Sequence, residues 1–123
     1  MHPSHANRAH QTYLNNAVST KSQGQLIIML YDGAIKFIEQ AQTDIEIGHI
    51  EEANKNLIKA QNILNELMVT LNFDAEEISN QLMSLYQFLY EQLIQANIKK
   101  DSGLLSSVKE ILKDLSETWK KII

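Results

Sequence analysis

The sequence predicts an all-α protein: an antiparallel four-helix bundle over residues 22–123, preceded by a flexible N-terminal arm over residues 1–21. Helix breakers give the first reason. The one proline is Pro3, the glycines are Gly24, Gly33, Gly48 and Gly103, and no proline occurs between Ser22 and Ile123. A strand-rich domain needs turn residues roughly every 8–12 positions, and this chain does not supply them. The second reason is segmentation. Gly48, residues 72–74 and residues 100–103 divide the remainder into four stretches of similar length, which short connections fold into neighbouring antiparallel helices. The third is apolar spacing of three and four residues within each stretch.

The first predicted helix runs from about Gln23 to Ile47. Ser22 and Gln25 spell a capping box, in which the hydroxyl accepts a backbone N–H and the amide side chain reaches back. Gly48 then suits the left-handed conformation that ends a helix. The second helix, about Ile50 to Asn72, has the cleanest pattern: Ile50, Ala53, Leu57, Ala60, Leu64, Leu67 and Leu71 alternate the two spacings as a heptad seam. The third, about Ala75 to Lys99, opens with Asp74 and Glu77 in the same box arrangement. Its inward stripe is Ile78, Leu82, Leu85, Leu89, Leu93 and Ala96, and Lys99 and Lys100 complement the negative end of its dipole. The fourth, about Leu104 to Ile122, turns Leu104, Val108, Ile111, Leu115, Trp119 and Ile122 inward. Residues 1–21 hold three of the four histidines and only scattered apolar residues, among them Tyr13, Leu14, Ala17 and Val18. They are expected to form an arm whose Tyr13, Leu14 and Val18 can dock on the bundle.

Composition narrows the function. The 123 residues are one domain's worth of chain. With no Cys there is neither a disulfide framework nor a thiolate metal site. A formal charge of −4 is a poor electrostatic footprint for a nucleic-acid binder. The longest apolar run, residues 26–31, is far short of the roughly 20 residues that cross a membrane. With no signal-peptide core at the N-terminus, the protein is expected in the cytoplasm.

Enzyme chemistry finds little purchase. A di-iron bundle needs two Glu-x-x-His pairs on facing helices. The one such spelling, Glu46 to His49, straddles Gly48 and has no second copy, so His49 is read as preceding or capping the second helix. His2, His5 and His10 lie in an arm without fixed geometry, and a terminal tract without function accounts for them better than a metal site. There is no nucleophile elbow and no phosphate-cradling glycine loop. No enzyme, cofactor or metal is expected.

The informative feature is surplus apolar surface. On a wheel of about 100° per residue, the apolar residues from Leu26 to Ile45 cover an arc of about 200°, twice the stripe a surface helix needs. Ile28, Tyr31 and Ile35 fall on one flank of the first helix. Met83, Tyr86, Tyr90 and Ile94 lie off the main stripe of the third, and Ile63 and Met68 sit beside the seam of the second. Any one of these residues alone would only widen the core. Together they suggest an apolar groove for a partner helix, with methionine supplying adaptability and tyrosine a low-entropy contact.

The wording of the chain leads to the same surface. The run from Ser22 through Met29-Leu30-Tyr31-Asp32-Gly33-Ala34 to Ile35 resembles the opening of the first helix in flagellin export chaperones of the FliS type. The resemblance continues through residues 57–64, Glu66-Leu67, Leu85-Tyr86, Ala96-Asn97-Ile98-Lys99-Lys100-Asp101 and Trp119-Lys120, and covers about residues 9–120. Two departures are local. Lys21-Ser22-Gln23 stands where the family usually has proline at the helix start, and His49 stands where it often has Asp. The resemblance implies an antiparallel bundle in the cytoplasm that binds the disordered C-terminal region of flagellin, prevents premature polymerisation, and presents the cargo to the flagellar export gate protein. It implies no nucleic acid and no membrane insertion. It also implies that the arm covers part of the groove when cargo is absent, with Tyr13 serving both that cover and export-gate docking. The expected groove is Ile28, Tyr31, Ile35, Ile63, Met68, Met83, Tyr86 and Tyr90, and the expected state a monomer, 1:1 with cargo. The alternative is a self-associating bundle without flagellin cargo, in which the surplus faces pair with a second copy.

Overall fold

The computed structural model describes residues 5–71 and 76–123, with side-chain surroundings from Gln23 onward. Four helices make up the fold: α1 (His5–Glu46), α2 (Ile50–Val69), α3 (Glu76–Lys99) and α4 (Ser102–Ile122). α1 packs on α2 and α4, and α3 packs on the same two, so α1 and α3 occupy opposite corners of a four-cornered bundle. Short connections make each neighbour antiparallel.

The turns show how the chain reverses. At the end of α1, Gly48 adopts φ 83°, the His49 N–H donates to the Asp44 carbonyl at 2.7 Å, and the Gly48 N–H donates to the Ile45 carbonyl at 3.2 Å. These two bonds make a Schellman cap, which satisfies carbonyls the helix would leave open. The end of α3 repeats the device without glycine. Lys100 takes φ 51°, and the Asp101 N–H donates to the Ala96 carbonyl at 3.0 Å. The Lys100 ammonium donates to the Asn97 carbonyl and to its side-chain oxygen, at 2.6 and 2.7 Å, and so helps hold this unusual backbone. Asp101 then caps α4 by accepting from the Leu104 N–H at 3.0 Å. Gly103, expected among the breakers, instead lies in the first turn of α4.

α1 also departs from expectation at its start. It is assigned from His5 and not from about Gln23, because Pro3 precedes it and no breaker separates His5 from Ser22. The backbone at residue 22 is therefore helix interior, not an N-cap. The arm residues Tyr13, Leu14 and Val18 lie outside the residues whose side chains are described, as does Asp74 of the expected box before α3.

The core is one cluster drawn from all four helices, with Ile38 and Ala41 from α1, Leu57, Leu64 and Leu67 from α2, Leu89 and Leu93 from α3, and Leu105, Val108 and Leu112 from α4. Each fully buried leucine contributes about 1.5–3 kcal/mol. The heptad seam of α2 enters the core as its spacing requires, except Ile50, which stays exposed, and Leu71, which is half-buried. α3 and α4 are rotated from their expected stripes. Ile78 and Ile122 are exposed, and Leu82, Leu85, Leu104, Ile111, Leu115 and Trp119 are only half-buried, while Ser79, Tyr86, Leu105, Leu112 and Ser116 turn inward. Polar partners explain part of the rotation: the Ser116 hydroxyl donates to Asp32 on α1 at 2.8 Å, so an inward serine is satisfied.

A replacement at the first turn tests this reading of the caps. Gly48→Ala forces a Cβ into the left-handed region and is expected to cost about 1–2 kcal/mol, seen as a lower urea midpoint with an unchanged slope.

Candidate functional site

Three of the eight expected groove residues belong to the interior. Tyr31 is 0% exposed, Tyr86 1% and Ile35 8%. The wide apolar arc of α1 is explained by its packing on both α2 and α4, which buries two flanks instead of one. Tyr31 and Tyr86 meet across the bundle diagonal, hydroxyl to hydroxyl at 2.6 Å, with ring centroids 6.3 Å apart and planes tilted by 55°. Burial raises both phenols above the ordinary tyrosine value. At Tyr86 the hydrogen bond with Tyr31 adds to that rise, whereas at Tyr31 the hydrogen bonds with Tyr86 and the Trp119 side chain oppose it.

The other five residues are half-buried, on different faces. Ile63 packs against the core on the α1 side of α2, its Cδ1 3.3 Å from where a Cβ on Gly33 would stand. Ile28 lies on the opposite side of α1, the flank that faces α4. Met68, Met83 and Tyr90 share one seam. The Asn97 amide of α3 donates to the Asn54 side chain of α2 at 2.8 Å, which sets the antiparallel register. Seven-residue steps keep side chains on one flank of a helix. Tyr90 and Met83 are one and two such steps before Asn97, and Gln61 and Met68 one and two after Asn54. Met83 therefore comes level with Met68 and Tyr90 with Gln61, while the exposed Ile58 and half-buried Ile94 fall between Tyr90 and the asparagine pair. Over the eleven residue-to-residue steps from Met83 to Ile94 this apolar flank is about 17 Å long.

The seam between α1 and α4 is built differently. Lys109 donates to Gln42 at 3.0 Å, and Gln42 donates to Ser106 at 2.8 Å and to the Ser102 carbonyl at 3.0 Å. Lys109 and Lys113 approach Glu39 at 3.6 and 3.9 Å, and Lys120 approaches Asp32 at 3.9 Å. The α1–α2 seam is tied near its turn by Asp44, which accepts from Asn56 at 2.8 Å and Gln40 at 3.2 Å. Hydrogen bonds and ion pairs thus run along the α1–α4 seam and tie the α1–α2 seam near its turn, while beyond the Asn54–Asn97 pair the flank between α2 and α3 is mainly apolar.

Two features were missed by the sequence pattern. One is Phe88 of α3, which stays 51% exposed and lies outside the stripes read from the sequence. On α4, Leu105 and Leu112 turn inward beside the expected Val108, an apolar alternative that spacing alone does not rank. The other is a pocket of about 490 Å³ at the end of the bundle, lined mainly by Leu26, Ile27, Leu71, Ile78, Leu82 and Trp119, with Tyr86 in its wall. Its residues come from α1, α3, α4 and the Thr70 and Leu71 that follow α2, so no local spacing reveals it.

Among the described residues, no three His, Cys, Asp or Glu side chains come together as metal ligands. No described helix is long and apolar enough to cross a membrane.

A family profile described as flagellar protein FliS matches residues 5–123. The chain belongs to the FliS family. It is similar to the flagellar secretion chaperone FliS of Bacillus subtilis, with 44% identity over 111 residues that cover 90% of this chain and 83% of that protein. The flagellar secretion chaperone FliS of Salmonella typhimurium is 34% identical over 114 residues, covering 91% and 84%. That of Escherichia coli is 29% identical over 113 residues, covering 90% and 83%. FliS proteins are chaperones without enzymatic activity.

The buried tyrosine pair makes a prediction about stability. Tyr31→Phe and Tyr86→Phe each leave one hydroxyl without its partner and are expected to cost about 1–3 kcal/mol, with the double variant costing less than the sum. Both folded-state phenol values lie above the unfolded value of about 10. The stability they lend is therefore whole below that pH and is lost as pH rises past it. Urea midpoints between pH 7 and 11 are expected to stay level to about pH 9 and then fall, less steeply in the double Phe variant.

Proposed function

We propose that this protein is a cytoplasmic export chaperone that holds the C-terminal segment of flagellin. Carrying it keeps the segment from polymerising early and delivers it to the flagellar type III export gate. The reading rests on family membership together with one observation, the apolar flank between α2 and α3 formed by Met68, Met83, Tyr90, Ile58 and Ile94. A disordered amphipathic segment can fold along such a flank, and the ordering cost keeps the complex reversible. Ile63 extends the candidate surface onto the α1 side of α2, and Ile28, on the α1–α4 side, is a separate candidate contact. Tyr31, Ile35 and Tyr86 support it from within and do not touch cargo along the flank. Residues 1–21 serve as a separate arm, with Tyr13, Leu14 and Val18 covering the surface in the empty protein and docking at the export gate. The complex is 1:1 with a monomeric chaperone.

Co-purification with full-length flagellin, and with flagellin lacking roughly its last 40 residues, tests the reading. That length is what a bundle about 30 Å tall can engage at 1.5–3.3 Å per residue. Capture of the full chain but not of the truncated one is the expected result, and equal capture of both overturns it. Ile58→Asp combined with Met83→Asp is expected to weaken the complex at least tenfold while leaving the far-ultraviolet circular dichroism unchanged. Sedimentation of the protein alone should give a monomer. A tight dimer would instead mean that these flanks bury one another.

A further inference from the structure

The amide pair beside the apolar flank of α2 and α3 has a direction. The Lys100 ammonium only donates, so the Asn97 side-chain atom it meets at 2.7 Å is the amide oxygen. The Asn97 nitrogen is then free to donate, and it reaches the Asn54 oxygen at 2.8 Å. This order leaves the Asn54 side-chain nitrogen at the end of the relay, its two N–H groups without a hydrogen-bond partner among the described residues. A positive charge stands behind the relay, and each bond polarises the next. Asn54 is half-buried, with the exposed Ile50 and Ile58 one turn before and after it and the exposed Ile98 next to Asn97. Gln61, the other amide on this flank, makes no hydrogen bond among the described residues that would fix which way it faces. A chain that covers these isoleucines also covers the Asn54 amide, and a donor covered without an acceptor is costly.

We infer that Asn54 sets the direction in which cargo lies: its amide donates to the open backbone carbonyls at the C-terminal end of a cargo helix seated along the flank. This rests on the proposed carriage of flagellin and names the end of the cargo helix that the site takes. The last four carbonyls of a helix have no partner within it and carry the negative end of its dipole. They match a donor backed by the Lys100 ammonium. A helix N-terminus at the same place would set N–H against N–H and turn its positive end toward Lys100, and carbonyls in mid-helix are already bonded. Position agrees with this choice. Met83 to Ile94 spans about three helical turns, and the asparagine pair follows where such a helix stops, at the end of the bundle with the α3–α4 turn. An asparagine in an apolar seam fixes register in coiled coils; here it fixes polarity as well. Asn54 touches the cargo, and Asn97 and Lys100 act through it as positioning residues.

Calorimetric titration of the full-length chaperone with full-length flagellin tests the contact through Asn54→Asp. The carboxylate still accepts from Asn97 and keeps the tie between α2 and α3, but it turns the free end of the relay from donor to acceptor. Binding is expected to fall at least tenfold with the urea midpoint close to the parent's. Lys55→Gln makes the same change in net charge at the next, exposed position and is expected to stay within about twofold. Asn54→Leu removes the donor without reversing it and is expected to lose roughly 2- to 12-fold, the worth of one ordinary hydrogen bond. Parental affinity in Asn54→Asp, or equal losses in Asn54→Asp and Lys55→Gln, overturns the inference. Should Asn54→Asp fold poorly, the side-chain amide resonances of Asn54 in the parent decide. Slowed exchange with water in the complex supports the contact, and exchange as in the free protein overturns it. Direction is read by a photo-crosslinking side chain placed at Glu51 or at Val69, exposed positions at opposite ends of α2. Crosslinks from Glu51 are expected later in the flagellin sequence than those from Val69, and the reverse order overturns the inference. Flagellin that fails to bind the parent protein sinks the proposed function and this inference together. Binding by the parent with Asn54→Asp unaffected sinks the inference alone.

Discussion

The hydroxyl pair of Tyr31 and Tyr86 joins the two helices that do not otherwise pack together. α1 and α3 stand at opposite corners, and the pair spans that diagonal at 2.6 Å. A short bond between two ring tips fixes how α3 can turn about its own axis. With Tyr86 aimed at the centre, Ser79, Leu89, Leu93 and Ala96 follow it inward. Met83 and Tyr90 are then carried to the shoulder facing α2, while Phe88 is left exposed. The half-exposed apolar surface of this bundle is thus a consequence of a polar interaction at its middle.

That dependence explains what could be deduced from the order of residues. Gly48 and the heptads of α2 act locally: a left-handed turn residue and a strict spacing mean the same thing in any bundle, and both stand where expected. The rotation of α3 and α4 is not local. α4 has two apolar stripes of nearly equal weight that share Val108, Leu104-Ile111-Leu115 on one side and Leu105-Leu112 on the other, and periodicity does not choose between them. The choice is made by partners distant in the chain, Asp32 for Ser116 and Tyr31 for Tyr86. Residues that burial requires to be satisfied by a remote group look misplaced on a wheel, as Tyr31 and Tyr86 do, while Ile35 falls on the flank that α4 covers. Met68, Met83 and Tyr90 are half-buried, and their departure from the seam is visible within one helix.

The sides of α1 and the side of α3 are held by different physics. Along the α1–α4 seam, hydrogen bonds and ion pairs involve Gln42, Ser106, Lys109, Glu39 and Asp32. Exposed ion pairs of this kind contribute little apiece, about 0–1 kcal/mol, but they occupy the surface with charge and leave an apolar segment nothing to gain. The α2–α3 seam has the Asn54–Asn97 bond near the α3–α4 turn and apolar side chains beyond it. There, covering what remains exposed at about 25 cal/mol per Å² is a favourable outcome for a segment with apolar residues on one face.

Half-burial suits a carrier that must both hold and release. A fully exposed apolar stripe would favour association of the free protein with itself, since contiguous patches of several hundred Å² act as interfaces. A fully buried one offers nothing to bind. Met68, Met83, Tyr90 and Ile63 lie between these limits: each already rests against its own helices and still has a face to give. The increment gained on covering them is smaller than their whole transfer free energy, so strong binding requires many residues engaged together along the helix. A partner that engages only a few would dissociate readily, whereas one long enough to follow the flank accumulates the contribution of each. Length and register of the apolar face, more than any single side chain, then discriminate the proper segment from a chance hydrophobic one, and release can begin at either end without meeting a single dominant contact.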